Sequence, residues 1–326
     1  MIITKTPYRI SFFGGGSDYP AWYERFGGEV LSTTINKHVY ISLRELPRFF
    51  KHNYRVSYSI NEEVKKLSQI KHFVVRKAIS NHLKNTNLEI HYDGDLPSRS
   101  GMGSSSSFVV GLLNTMHLFK NKKLKKKDIA IQSLNFEQKT LKECVGSQDQ
   151  IAASYGGFNY IKFKQDKSFS VNEVTNEKFK KNLNKNLILI YTGQQRTAHK
   201  IASKFVKKLT NEKRNEIVEI LKCVAESKKI IKNGNTDDFG RLLHESWLIK
   251  KKLDKSIFNN KIDDIYKLAI KNGALGGKLL GAGGGGFFLF YIPEFKKVNF
   301  FKKMKPFINI PFEFENEGTK EIYNNG

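Results

Sequence analysis

The segment Asp95-Leu-Pro-Ser-Arg-Ser-Gly101-Met-Gly103-Ser104-Ser105-Ser106-Ser107 decides how the chain is read. Ahead of it, Leu88, Ile90 and Tyr92 alternate with Glu89, His91 and Asp93, the period of a half-buried strand. Behind it, Phe108 to Phe119 carries apolar residues at helical spacing. Two glycines and four serines at the start of a helix leave backbone N–H groups open to close approach. The orphan donors and partial positive charge of a helix N-terminus, together with the hydroxyls, are the chemistry of a polyphosphate cradle. The segment has no Gly-Lys-Ser/Thr and is not a Walker A loop; it also lacks the third glycine of a dinucleotide fingerprint. The plain alternative is an ordinary N-cap behind a flexible loop, and four serines after two glycines weigh against it.

Candidate partners for such a cradle lie on both sides of it. Glu137 falls in a helix that begins near Asp128, with Ala130, Leu134 and Leu141 at −7, −3 and +4, so it shares an apolar face. A carboxylate there is costly unless it is salt-bridged or holds a metal, and spacing alone leaves both open. Gly146-Ser-Gln-Asp149-Gln150 follows that helix. Asp149 reads first as a turn or cap residue. Its nearness in sequence to Glu137 also suits metal-assisted phosphoryl transfer, with one acid on Mg²⁺ and one beside the attacking hydroxyl. In Lys278-Leu-Leu-Gly281-Ala-Gly283-Gly-Gly-Gly286 the glycines outnumber what a tight turn needs, which predicts a loop that meets a ligand or packs on the ligand loop. At the N-terminus a strand ends in Gly14-Gly-Gly-Ser17-Asp18, so that Arg9 and Asp18 could reach one cleft.

The rest of the chain supports a folded, mixed architecture. It has 326 residues, 39% hydrophobic and 27% charged, with 25 Phe and 13 Tyr, enough for a core and for two domains. Ile2, Ile3 and Tyr8 to Phe13 open as a strand, and Val30 to Leu43, interrupted at Asn36-Lys37, predicts two paired strands. Asn121 to Asp128 holds five lysines, a solvated loop with Asp128 as N-cap of the next helix. Phe158 to Phe163 and Leu187 to Tyr191 read as strands around a polar stretch, Lys164 to Asn186, where a domain boundary is placed, dividing 1–175 from 176–326. Thr197 to Lys232, Asp237 to Lys252 and Asp263 to Lys271 read as helices, and Phe287 to Ile292 as a fully buried strand. Without strict βα alternation the class is α+β rather than doubly wound.

Lys plus Arg number 56 against 31 acids, a formal charge of +25, which suits nucleic acid, an anionic membrane face or an anionic small substrate. Cys144 and Cys223 cannot build a disulfide framework or a thiolate metal site. No signal peptide is read at the N-terminus, and no apolar run approaches membrane-spanning length, so a cytoplasmic protein without a membrane partner is expected.

Three motifs in order resemble the GHMP kinases, named for galactokinase, homoserine kinase, mevalonate kinase and phosphomevalonate kinase. They are Pro7-Tyr-Arg9…Gly14-Gly-Gly-Ser17-Asp18-Tyr19, then Pro97…Gly101-Met-Gly103-Ser104-Ser105, then Lys278 to Gly286. Phe12 to Pro20, Ser147 to Gln150 and Tyr191-Thr-Gly193…Arg196 are most similar to the sugar-1-kinase branch that includes D-glycero-D-manno-heptose 7-phosphate kinase and fucokinase-type domains. The resemblance implies a two-domain α+β fold, with an N-terminal domain like ribosomal S5 domain 2 and a ferredoxin-like C-terminal domain. It implies ATP held by Pro97, Gly101, Met102, Gly103, Ser104, Ser105 and Ser106, and Mg²⁺ held by Ser105 and Glu137. Asp149 would be the base and Arg9 its partner, also neutralising the transferring phosphoryl group. Gly16, Ser17, Asp18, Tyr19, Arg196, Gly283, Gly284 and Gly285 would contact the substrate. Met102 stands where the family has Leu, and Ser106-Ser107 replaces a small apolar pair. A Gly-Glu-His-Thr-Asp stretch of the galactokinase type is absent.

The function so implied is phosphorylation of the anomeric hydroxyl of a sugar or sugar phosphate, with D-glycero-D-manno-heptose 7-phosphate first and another sugar-1-kinase as the alternative. Arg196, Lys37, Arg99 and Lys200 are the basic residues considered for a second phosphate. A nucleic-acid-binding module is the reading from a different class, carried by the charge alone: the lysines are scattered, with no zinc spacing and no aromatic platform motif. A non-catalytic sensor on the same fold is disfavoured by Arg9, Ser105, Glu137 and Asp149 occurring together. Homodimer formation is left open.

Overall fold

The computed structural model describes residues 1–84, 86–194, 202 and 206–325. The first sheet is built on two long strands, β1 (Ile2–Phe13) and β2 (Gly28–Glu45), paired antiparallel along their length. It continues through β3 (Tyr54–Ser57), β4 (Asn61–Val64) and β5 (Leu88–Gly94), while β6 (Phe158–Phe163) and β7 (Phe169–Glu173) extend it from β2. The order is β13 (Lys320–Asn324), β1, β2, β5, β3, β4, and β3 with β5 is parallel. The second sheet has the order β11-β8-β10-β9, all antiparallel, from β8 (Leu187–Tyr191), β9 (Gly276–Leu279), β10 (Phe287–Tyr291) and β11 (Ile308–Ile310). Helices after β8 and after β10 make this the β-α-β-β-α-β arrangement of a ferredoxin-like unit. The chain then returns: β12 (Phe314–Glu315) pairs with β2 and β13 (Lys320–Asn324) with β1.

The helices are α1 (Pro20–Phe26), α2 (Phe73–His82), α3 (Ser104–Phe119), α4 (Lys126–Asn135), α5 (Gln148–Tyr155), α6 (Glu177–Asn186), α7 (Arg214–Asn233), α8 (Thr236–Lys251), α9 (Asn260–Lys271) and α10 (Lys297–Met304). Helix α3 is apolar almost all round and buried, as a helix sandwiched in a core must be. It is pinned to β1 by Ser107 Oγ donating to Pro7 O at 2.9 Å and by Thr4 and Thr115 hydroxyls 2.7 Å apart. Phe239 on α8 packs edge-on against Phe12 and Phe13 of β1, with ring centres at 5.2 and 5.0 Å, which couples the two sheets. Burying each such ring contributes about 1.5–3 kcal/mol.

The α+β class is as expected, and several local readings are corrected. Val30 to Leu43 lies within one continuous strand. Asn36 and Lys37 bulge out between Pro7↔His38 and Tyr8↔Ile35. Pro7, which has no N–H to give, sits at that irregularity, where a strand tolerates proline. Lys125 is the N-cap of α4, and Asp128 lies in its first turn. The polar stretch Lys164 to Asn186 is ordered as β7 and α6. Of the long helix expected from Thr197, α7 is described, while residues 195–201 and 203–205 lie outside the described residues. Among the described residues no helix is long and apolar enough to cross a membrane.

Candidate active site

A cavity of about 370 Å³ opens between the sheets, with Arg9, Asp18, Gly103, Ser104, Ser105, Ser106 and Asp149 on one side and Ser246, Lys250, Ile257, Lys278 and Gly281 on the other. Its floor is the entry to α3. Gly103 is the N-cap at φ +75 and no side chain caps the helix, so the N-terminal N–H groups stay available to an anion. Gly101 is also left-handed, at φ +81, and a Cβ there would lie 2.5 Å from Leu280 O. The two glycine-rich loops therefore touch backbone to backbone, and only glycine permits that approach. An uncapped sixteen-residue helix behind bare glycines fits a nucleotide's phosphates.

Strand β1 carries Arg9 under this loop. Its Nε and Nη2 donate to Asp149 Oδ1 and Oδ2, both at 2.7 Å, and Nη1 donates to Gly101 O at 2.7 Å. This fork-to-fork pair fixes the carboxylate's plane and holds its charge. Asp149 lies in the first turn of α5, where the helix dipole favours an anion. The Arg9 side chain is 5% exposed and that of Asp149 23%, so the acid is the member open to the cavity.

Asp18 is buried beside them, accepting from Gly16 N at 2.9 Å and from Gln148 Nε2 at 2.9 Å. Burial, and next the charge of Asp149, raise its pKa. Gly146 leaves room for it, since a Cβ there would fall 2.0 Å from Asp18 Oδ2.

Glu137 sits on a π-helical turn, Phe136–Thr140, that continues α4. Such a turn is a frequent device at functional sites, because it rotates one side chain off the helical face. Ser106 Oγ donates to Glu137 Oε2 at 2.9 Å and Gln150 Nε2 also donates to it, while Oε1 is buried with no hydrogen-bond partner among the described residues. Burial pushes this carboxyl up to about 8, against the lowering effect of Gln150 and Ser106. Among the described residues no cluster of three His, Cys, Asp or Glu could cage a metal. One carboxylate with an orphaned oxygen next to a phosphate cradle nonetheless fits Mg²⁺, which commonly takes one or two protein carboxylates together with substrate phosphates.

The remaining expected residues are placed as follows. Gly16, Asp18, Tyr19 and Arg99 line the cavity; Pro97 is exposed and does not. Met102 is fully buried, and its N-terminal neighbour's carbonyl, not its own side chain, faces Arg9. The serine hydroxyl on Glu137 is that of Ser106, whereas Ser105, expected there, is exposed on the cavity wall. Ser17 is turned away, with Oγ donating to Gly14 O and Glu29 O, so it pins the turn. Gly283, Gly284 and Gly285, expected beside the substrate, are buried off the cavity: Gly284 N donates to Ile257 O at 2.7 Å and Gly285 packs on Gln194. Gly281 and Ala282 take the wall position instead. Lys37 is not on the wall, and Arg196 and Lys200 lie outside the described residues. The sequence reading missed Gln148, whose signal was its place beside Asp149, and Lys250, which looks like any lysine of a basic helix.

The family model for the GHMP kinases N terminal domain matches residues 69–157, and that for the GHMP kinases C terminal matches 227–304. The chain is 32% identical over 98% of its own length, and 98% of the relative's, to a D-glycero-alpha-D-manno-heptose 7-phosphate kinase from Campylobacter jejuni. A galactokinase from Pyrococcus furiosus is 24% identical over 87% of each chain. The crystal structure of a D-glycero-D-manno-heptose 1-phosphate kinase from Bacteroides thetaiotaomicron superposes over 100% of both chains with a TM-score of 0.81 at 23% identity, and so shares the fold. With both family models matched in order and a relative similar from end to end, the chain belongs to the GHMP kinases.

Proposed function

We propose that this protein is an ATP- and Mg²⁺-dependent kinase that phosphorylates the anomeric hydroxyl of a sugar phosphate. D-glycero-D-manno-heptose 7-phosphate is the acceptor and its 1,7-bisphosphate the product, in the cytoplasm, for nucleotide-sugar synthesis toward surface polysaccharide. The observation that carries the reading is the bidentate Arg9–Asp149 pair on the wall of a cavity whose floor is an uncapped helix N-terminus. The acceptor's identity is supported by full-length similarity to the Campylobacter jejuni enzyme. Residues 1–175 form the nucleotide-binding domain in this reading and 176–326 the second domain, with the last strands lent back to the first sheet.

Asp149 accepts the proton of the acceptor hydroxyl as the hydroxyl oxygen bonds to the terminal phosphorus of ATP, while the bond from that phosphorus to the bridging oxygen breaks and ADP leaves with the electron pair. Arg9 holds that carboxylate oriented, because each of its oxygens already receives an N–H. Gly101, Gly103 and Ser104 to Ser106 cradle the donor phosphates on backbone N–H groups and hydroxyls. Glu137 with a cradle serine would hold Mg²⁺, which would supply charge neutralisation on the phosphates. Asp18, fixed by Gln148 and Gly16, receives hydrogen bonds from sugar hydroxyls.

The test is a coupled ADP-release screen over heptose 7-phosphate, heptose, fucose, galactose and mannose, with ³¹P and ¹H NMR of the product. Turnover with heptose 7-phosphate at the anomeric oxygen supports the reading. Turnover with an unphosphorylated sugar alone moves the protein to a fucokinase- or galactokinase-like activity, and no ADP release with any acceptor rejects the sugar-kinase assignment.

A further inference from the structure

Two cations on the cavity wall, Lys278 buried and Lys250 half-buried, have no part in the chemistry above. Lys250 comes from α8 and donates Nζ to Leu279 O at 2.7 Å and to Gly281 O at 2.5 Å. Lys278 comes from β9 and donates Nζ to Phe12 O at 2.5 Å. Both line the cavity, and among the described residues neither forms an ion pair with a carboxylate, unlike their neighbour Lys251, which pairs with Asp263. Backbone carbonyls solvate an ammonium but leave its charge uncancelled, and a buried uncancelled charge is expensive.

Each ammonium has three N–H groups, so Lys250 has one to spare and Lys278 two. Arg9 differs: three of its N–H groups go to Asp149 and Gly101 O, and Asp149 cancels its charge. Arg99, also on the wall, is exposed to solvent, so the shielded positive charge that has no ion-pair partner among the described residues of this cavity is that of the two lysines. Their fields act on each other and on Arg9. Burial and these like charges hold Lys250 well below the ordinary lysine value, and burial with the Arg9 charge takes Lys278 down to about 7. The site is also connected to the cradle: Gly281, whose carbonyl holds Lys250, lies backbone-to-backbone against Gly101.

We propose that Lys250 and Lys278 form a subsite for a terminal phosphate dianion, contributed either by the nucleotide's last phosphate or by the phosphate that the acceptor carries. A doubly charged group with several acceptor oxygens matches two ammoniums that retain free donors and, among the described residues, have no carboxylate in ion-pair contact, Asp18 acting on Lys278 only from a distance. The choice of ligands rests on the kinase reading; the anion site itself does not.

Calorimetric titration of the full chain tests it with four ligands, ATP, ADP, heptose 7-phosphate and the unphosphorylated heptose, and with pyrophosphate in parallel. Lys250→Met keeps length and apolar packing while removing the charge. It should weaken either ATP or heptose 7-phosphate by about 10- to 100-fold, the scale of one charged hydrogen bond, and leave the counterpart lacking that phosphate within about twofold. The ATP–ADP pair identifies the nucleotide as the source, and the two heptoses identify the acceptor. Lys250→Arg should retain most of the affinity, and Lys278→Met should repeat the selective loss if Lys250→Met proves poorly folded. Pyrophosphate binding that Lys250→Met loses supports the subsite even if no sugar is turned over. Equal weakening of all four ligands, no change in any, or no anion binding by the wild-type protein overturns it.

Discussion

Asp149→Asn separates chemistry from binding at this site. The amide keeps the carboxylate's shape and one acceptor for Arg9, but it cannot take a proton from the acceptor hydroxyl. A positioned general base is worth about 10²–10⁴-fold in rate, or about 3–5.5 kcal/mol of barrier. The structure also sets the cost in stability. Arg9 loses one of two 2.7 Å charge-assisted bonds and its counter-charge, yet it keeps Gly101 O. Stranding a fully buried charge costs about 3–5 kcal/mol; with the partner side chain 23% open to the cavity, about 1–2 kcal/mol is expected. The melting temperature should therefore drop by a few degrees without loss of fold. ATP affinity should stay within about threefold, since Asp149 is outside the cradle. The assay is the coupled ADP-release rate at saturating ATP and acceptor, beside nucleotide titration and a melting curve of the same preparation. A folded Asp149→Asn protein that turns over within about threefold of wild type would refute the assignment of the base.

Gly101→Ala places a Cβ 2.5 Å from Leu280 O at φ +81; the strained backbone should cost about 1–3 kcal/mol in denaturant unfolding and weaken ATP binding in step. Glu137→Gln should raise the Mg²⁺ concentration needed for turnover and lower kcat at least about tenfold, while metal-free stability holds or rises, since a neutral amide replaces a buried carboxyl; unchanged Mg²⁺ dependence would count against the metal role. Lys278, with its folded pKa near 7 against an ordinary 10.5, binds fewer protons folded than unfolded between those values. Stability should therefore increase as pH rises through that window, by at most about 1.4 kcal/mol per unit, and the slope should flatten in Lys278→Met when denaturant midpoints are compared from pH 6.5 to 9.

What was legible in the sequence depended on whether the physics was local. The Gly101 to Ser107 stretch could be read because bare backbone and a helix start are properties of the residues themselves, and α3 begins at Ser104 as that reading requires. Asn36-Lys37 carries the composition of a turn, yet β2 continues through it with only a bulge. It pairs with β1 on one side and with β5, β6 and β12 on the other, and that pairing outweighs a local preference for reversal. Glu137 was expected on the apolar face of a helix and is fully buried, but the π turn that rotates it has no signature in a 3.6-residue period. The glycines of the 281–286 loop predicted contact with a ligand or packing on the ligand loop, and left the choice open. The answer is the backbone of Ile257, Gln194 and Ser100 rather than a ligand, because those segments arrive from elsewhere in the chain.

Charge shows the same divide most sharply. Some of the 56 basic residues, Lys222 and Lys229 among them, are exposed and paired with a glutamate one turn away, where an ion pair contributes little. Lys250 is indistinguishable from Lys251 and Lys252 in sequence, yet α8 turns it toward the carbonyls of Leu279 and Gly281 and removes it from every described carboxylate. A net charge of +25 thus pointed first to a polyanion bound over a broad surface. What the structure adds is two ammoniums inside a 370 Å³ cavity, Lys278 buried and Lys250 half-buried, with no ion-pair partner among the described residues, a place suited to a phosphate group rather than to a polyanion spread over a surface.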